Sequence, residues 1–166
     1  SAPIIVVMGV SGCGKSTVGQ QLAASLTVEF LEGDRLHSTE NVARMAAGIA
    51  LTDEDRQGWL ETLADRIGNA RANRSGLVVS CSALKRRYRD TLRHGASDLL
   101  FVYLQGSPEL LAARMSSRPG HYMPASLLES QLATLEIPCA DENAQTFDTA
   151  LPASAVVRAV VASLST

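Results

Sequence analysis

The chain of 166 residues carries 15 Lys and Arg against 17 Asp and Glu, a formal charge of −2, with 46% hydrophobic and 19% charged residues. That length suits one domain, able to bury about 70% of the surface its unfolded form exposes. The charge balance excludes a general nucleic-acid or membrane-surface binder, which needs a basic excess. No apolar run approaches the about 20 residues of a membrane span, and no basic-then-apolar leader opens the sequence. Cys13, Cys81 and Cys139 are odd in number and lack metal-like spacing, so they read as free thiols in a reducing, cytoplasmic setting.

In chain order, the first element is the apolar run from Ile4 to Met8. It is nearly continuous rather than alternating, the pattern of a strand covered on both faces. Directly after it, Gly9-Val10-Ser11-Gly12-Cys13-Gly14-Lys15-Ser16 matches the spacing G-x-x-x-x-G-K-[ST] of a phosphate-binding P-loop. Small residues let the backbone N–H groups turn inward around a phosphate chain. The helix that opens near Lys15, with Val18, Leu22 and Leu26 at four-residue spacing, adds the positive end of its dipole. Residues Gly9 to Ser16 are therefore expected to hold the phosphates of a nucleotide, with Lys15 reaching the β- and γ-phosphates and the Ser16 hydroxyl on Mg²⁺. Cys13 sits in this loop with only the helix terminus to activate it, so no redox role is read.

A weaker strand candidate, Val28 to Leu31, leads into Glu32-Gly33-Asp34. At the carboxyl edge of a parallel sheet Asp34 would stand beside the P-loop, as base for an acceptor hydroxyl or as an outer partner of the metal ion. Arg35 to Arg74 is too long for one crossover, so 35–74 is expected to form a helical substrate-binding region, with Trp59, Leu63 and Ile67 on its buried face. A third strand, Leu77 to Val79, precedes the basic stretch SCSALKRRYRD; there Lys85 and Arg89, spaced i,i+4, are the pair expected to meet an anionic group. A fourth strand runs from Leu99 to Leu104, and Ser107-Pro108-Glu109 has the form of a helix start. Arg114 and Arg118 then stand four apart, before Gly120 and His121; two guanidiniums aimed at one point suit a transferring phosphoryl group. Gln145 to Thr149 is a weak fifth strand, and Val156, Val157, Val160, Val161 and Leu164 form a final apolar helix stripe.

Alternating strands and helices predict an α/β fold, and the loop after the first strand makes it one of the P-loop NTPase type. It has a parallel sheet of about five strands and a mobile lid. The domain is expected to span 1–166, with the lid at 116–142. No guanine-reading Asn-Lys-x-Asp is present, which excludes a switch GTPase. A kinase of a small acid remains, and beside it a non-catalytic ATP-binding module that would need neither Asp34 nor convergent arginines.

With the P-loop, the stretches GDRLHSTENVARMAAGIALTDEDRQGWL, CSALKRRYRDTLR and RPGHYMPASLLESQLATLEIPCADE resemble the gluconokinases. That resemblance runs from Ile4 to about Asp148 and implies the fold of the nucleoside monophosphate and shikimate kinases, with Gly9 to Thr17 binding ATP. It implies transfer of the γ-phosphoryl of ATP to the 6-hydroxyl of D-gluconate by a homodimer; a shikimate-type acid is the other acceptor considered. By matching position it implies that Asp34 and His37 face the sugar acid, with Arg56, Ser82 and Lys85 near its carboxylate or hydroxyls. Arg114, Arg118 and His121 are assigned to the lid and the phosphate, and adenine to the region of Leu151-Pro152. The departures are Glu32-Gly33-Asp34 where the family often has Asp-Gly-Asp, His37-Ser38 where it has His-Pro, and Arg44 where lysine is usual. None touches the phosphate machinery.

Overall fold

The computed structural model describes residues 2–116 and 125–165. Five parallel strands, β1 (Ile4–Met8), β2 (Glu29–Glu32), β3 (Leu77–Ser80), β4 (Leu100–Gln105) and β5 (Ala144–Asp148), lie in the order β2-β3-β1-β4-β5. The expected five-stranded parallel sheet is thus found, and the two weak strand candidates are its two edges. All of β1 and β3, and β4 apart from Gln105, are buried, which explains their unbroken apolar runs; β2 and β5 are half-exposed and therefore read weakly.

Seven α-helices accompany the sheet among the described residues: α1 (Lys15–Leu26), α2 (Thr39–Ala46), α3 (Asp53–Ala72), α4 (Arg86–Arg93), α5 (Pro108–Ser116), α6 (Ala125–Thr134) and α7 (Ala153–Leu164). None is long and apolar enough to cross a membrane. α1 packs on α7 and on β1 to β3, while α3 packs on α4. The expected stripes face inward: Val18 and Leu22 of α1, Trp59, Leu63 and Ile67 of α3, and Val156, Val157 and Val160 of α7 are buried, whereas Leu164 ends the last stripe in solvent. Ser107 caps α5, its hydroxyl accepting from Leu110 N at 3.2 Å. The long stretch after β2 holds a 3₁₀ turn (Gly33–Leu36) and two helices, and a Thr52–Asp55 capping box starts the second of these.

Register sets the site. Glu32 pairs with Ser80 and Ser80 with Val7, so the ends of β2, β3 and β1 lie side by side at one edge. Strands that follow leave β1 in both directions, which opens the crevice where an open α/β sheet receives its ligand.

Candidate active site

The loop between β1 and α1 folds as a phosphate cradle. Gly12 and Gly14 adopt φ of 84° and 86°. At Gly14 a Cβ would meet nothing within 4 Å, so backbone conformation alone requires glycine there. At Gly12 a Cβ would lie 2.8 Å from the Leu111 carbonyl, so both conformation and space require it. Gly14 is the N-cap of α1 and has no side chain to spend on the first-turn N–H groups, which leaves them directed at the cradle. Gly9 N donates to Ser82 O at 3.3 Å, tying this loop to the one after β3. Cys13 is buried and its thiol is pushed up by that burial, in keeping with an inert side chain.

Lys15 and Asp34 meet across the cradle, Nζ to Oδ2 3.7 Å, with Asp34 the more exposed of the two. Burial pulls the Lys15 ammonium down, but the negative charge of Asp34 in front of it, with Glu32 behind, leaves it above its ordinary value and fully charged. Ser16 Oγ donates to Glu32 Oε1 at 2.8 Å, and Ser80 Oγ donates to the same oxygen. Glu32, and not Asp34, is therefore the carboxylate that orients the P-loop hydroxyl. Sequence reasoning missed it and set the Glu32 departure apart from the phosphate machinery, which its bond to Ser16 corrects, although it is the last residue of β2 and the register alone puts it opposite Ser80. Ser16, Glu32 and Ser80 form an all-oxygen set of the kind that suits Mg²⁺.

His37 closes the 3₁₀ turn that carries Asp34. Its ring stacks on Trp59 at 3.9 Å between centroids, Trp59 Nε1 donates to Gly33 O at 2.8 Å, and Asn41 Nδ2 approaches His37 Nδ1 at 3.3 Å. Burial lowers the His37 pKa to about 4, with Asp34 opposing and Arg56 assisting, so the ring is a neutral hydrogen-bonding surface at physiological pH. The depressed value means that the unfolded chain takes up the proton first. Stability contributed by neutral His37 is thus complete above about pH 6.5 and is lost as pH falls toward 4. Urea midpoints measured from pH 7 to 4.5 should decline, and the decline should be shallower in His37→Gln; equal slopes in the two proteins would refute that linkage.

Beyond His37 stands a charged cluster between α3 and α4. Lys85 Nζ and Arg87 Nη1 each bond Asp53 at 2.9 Å, Tyr88 OH also donates to Asp53, and Arg56 Nη1 donates to Tyr88 OH at 3.0 Å and to Leu51 O at 2.8 Å. Tyr88 thus bridges Arg56 to the Asp53–Lys85 pair. Its phenol is raised by burial and by Asp53 and stays protonated, while hydrogen bonds from Tyr88 and Lys85 lower Asp53. Neither Asp53 nor Tyr88 was singled out from the sequence; a Thr-Asp at a helix start and one tyrosine in a basic helix look ordinary there.

Arg89 departs from expectation. It is fully buried and holds Glu142, Nε to Oε1 2.7 Å and Nη2 to Oε2 3.1 Å, and its Nη1 donates to Ala83 O at 2.8 Å. The two side chains do not converge on one anion: Lys85 is the N-cap of α4, with extended φ −107° and ψ 149°, and turns to Asp53, while Arg89 is directed into the core. Arg114, at the end of α5, bonds Thr149 Oγ1 and Thr149 O, both at 2.7 Å, and Thr149 in turn bonds Cys13 O. It lines a cleft with Gly12, Gly14, Thr17, Thr149 and Leu151, the last half-exposed. Arg118 and His121 lie outside the described residues. Ser82 stands beside the P-loop through its backbone.

Comparison with known proteins gives a concordant picture. The family model for shikimate kinase matches residues 11–165. The thermosensitive gluconokinase of Escherichia coli K12 is 47% identical over 138 residues, covering 82% of this chain and 73% of that protein. The gluconokinase of Gluconobacter oxydans is 50% identical over 138 residues, 83% of this chain and 78% of that protein. A gluconokinase structure from Sinorhizobium meliloti superimposes with a TM-score of 0.88 at 49% identity, over 98% of this chain and 91% of that one. A P-loop whose lysine faces a carboxylate, on a shikimate kinase frame and at nearly half identity to gluconokinases along most of its length, places this chain in the gluconokinase family.

Proposed function

We propose that the protein transfers the γ-phosphoryl group of ATP to the 6-hydroxyl of D-gluconate, giving 6-phospho-D-gluconate and ADP. One observation carries the reading: Asp34 stands 3.7 Å from Lys15 at the mouth of the cradle, where an acceptor hydroxyl must meet the terminal phosphate. Purine would occupy the cleft at Thr149 and Leu151, and the phosphates the cradle formed by Gly9 to Thr17. The sugar acid would lie over His37, its carboxylate toward Arg56 and Lys85, with Ser82 near a hydroxyl. Held in line, the hydroxyl gives its proton to Asp34 as its oxygen bonds the γ-phosphorus and the bond to the β-phosphate oxygen breaks. Lys15 stays charged through the step and stabilises the negative charge spreading over the transferred group.

Ser16, its hydroxyl fixed by Glu32, would hold Mg²⁺, which would supply positive charge to offset the negative charge of the phosphates. The proposal keeps 35–74 as the acceptor-binding region and 116–142 as a lid. Arg118 and His121 would act there on the phosphate side with Arg114 reaching in from α5 beside the lid, and the lid would exclude water, the competing acceptor. A cytoplasmic homodimer completes it: Cys13 and Cys81 are free and buried and Cys139 is free and exposed, as a reducing compartment allows. The test is ADP release with MgATP against D-gluconate, other aldonic acids, shikimate, AMP and no acceptor. Gluconate is expected to exceed every other acceptor by at least roughly 10²-fold in kcat/KM; equal slow hydrolysis across the panel would overturn the proposal.

A further inference from the structure

A side chain from a distant helix bonds the P-loop backbone. Ser11 N donates to Gln131 Oε1 at 2.7 Å, across 120 positions of sequence. Gln131 lies on α6, whose Leu127 and Leu128 are buried and whose Leu132 packs on the core. The carboxamide is therefore delivered from an anchored helix. Ser11 is itself buried.

The position of that contact within the loop gives it meaning. Gly12, Cys13, Gly14 and Thr17 line the cleft that ends at Thr149 and Leu151, and Ser11 does not. Ser11 thus belongs to the side of the cradle away from the base cleft. Of the neighbouring loop amides, Gly9 N is committed to Ser82 O and Cys13 N to Val10 O. The Val10–Ser11 peptide is oriented by Gln131. A carboxamide suits this task beside a phosphate: its oxygen accepts from the loop, its nitrogen is a donor, and it carries no charge to oppose an anion.

We propose that Gln131 is a positioning residue for the terminal phosphate of ATP, holding the Ser11 peptide and keeping a neutral side chain next to the γ position. This rests on the nucleotide reading of the P-loop given above. It predicts discrimination between nucleotides that differ only in the terminal phosphate. Gln131→Glu keeps the size and the acceptor oxygen but places a negative charge there. ATP affinity should fall by roughly 10-fold or more, while ADP affinity changes by less than about 2-fold, since like charges repel most at close range. Gln131→Leu, which removes the acceptor, should lower kcat/KM for ATP by roughly 3- to 10-fold with the KM for gluconate unchanged, the range for a lost hydrogen bond.

Calorimetric titration of each variant and the wild type with MgATP and MgADP decides it. Wild type binding neither nucleotide would sink the nucleotide reading. Wild type binding both, with an ATP-to-ADP affinity ratio unmoved in Gln131→Glu, would sink the role of Gln131 alone. Should Gln131→Leu fail to fold, the near-isosteric Glu variant still reports the ratio.

Discussion

Asp34→Asn is expected to lower kcat by roughly 10²- to 10⁴-fold while leaving the dissociation constant for MgATP within about 3-fold of wild type. The amide matches the carboxylate in size and still accepts a hydrogen bond from an acceptor hydroxyl, so a bound sugar acid keeps its place. What it loses is the capacity to take the proton as the oxygen–phosphorus bond forms. ATP binding has no reason to suffer, because Asp34 faces Lys15 as a countercharge at 3.7 Å and is not a phosphate donor. Removing that countercharge frees the ammonium for the phosphates, so a slight tightening is the direction to expect. Steady-state ADP release paired with calorimetric ATP titration separates the outcomes. Loss of both in parallel would make Asp34 an organiser of the cradle and not a base. Loss of neither would favour a protein that binds ATP without using it on a small molecule.

The same pair of residues shows where sequence reasoning reaches and where it stops. Gly12, Gly14, Lys15 and Ser16 are legible because a backbone that must wrap a phosphate leaves few choices, and those choices sit within eight consecutive positions. The core is legible for a similar reason: β1, buried throughout, has to be apolar at every residue. Glu32 was passed over because its role depends on register, which places it against Ser80 and within reach of Ser16, residues 48 and 16 positions away. Arg89 was misassigned because Lys85 is the extended N-cap of α4 and not a residue of its first turn, so the two side chains do not share a helix face. Its partner Glu142 is 53 positions distant, and no local pattern announces a fully buried arginine. Gln131 was invisible for the same cause. Local rules find the loop that binds phosphate, and only the fold reveals which side chains hold that loop and its neighbours still.

Arg89→Met is expected to destabilise the protein by about 3–5 kcal/mol, the cost of leaving a buried carboxylate without its partner. Burial would raise the Glu142 carboxyl, yet hydrogen bonds from Arg89 and Arg93 and from Cys139 N hold it down to about 2, so it is charged in the folded state and depends on those donors. Such a loss is a large fraction of the roughly 5–15 kcal/mol that separates folded from unfolded chains, and should lower Tm by about 10 °C or more. Adding Glu142→Leu should recover part of it, because the uncompensated charge goes too. Recovery stays incomplete because Arg93, which also bonds Glu142 at 2.8 Å, is left without that acceptor. A functional effect should survive the rescue. Arg89 Nη1 holds Ala83 O, and Ala83 sits at φ 45°, a left-handed conformation that a non-glycine residue keeps only when its surroundings impose it. Without the guanidinium, residues 81–85 can relax, and Lys85 moves with them. The doubly substituted protein should then regain much of its Tm and still show a raised KM for gluconate with a smaller change in affinity for ATP, because Arg89 holds the loop that carries Lys85 directly, whereas the cradle meets that loop through the Gly9 N–Ser82 O bond. A gluconate KM that returns to the wild-type value together with Tm would mean that the buried pair acts on stability alone.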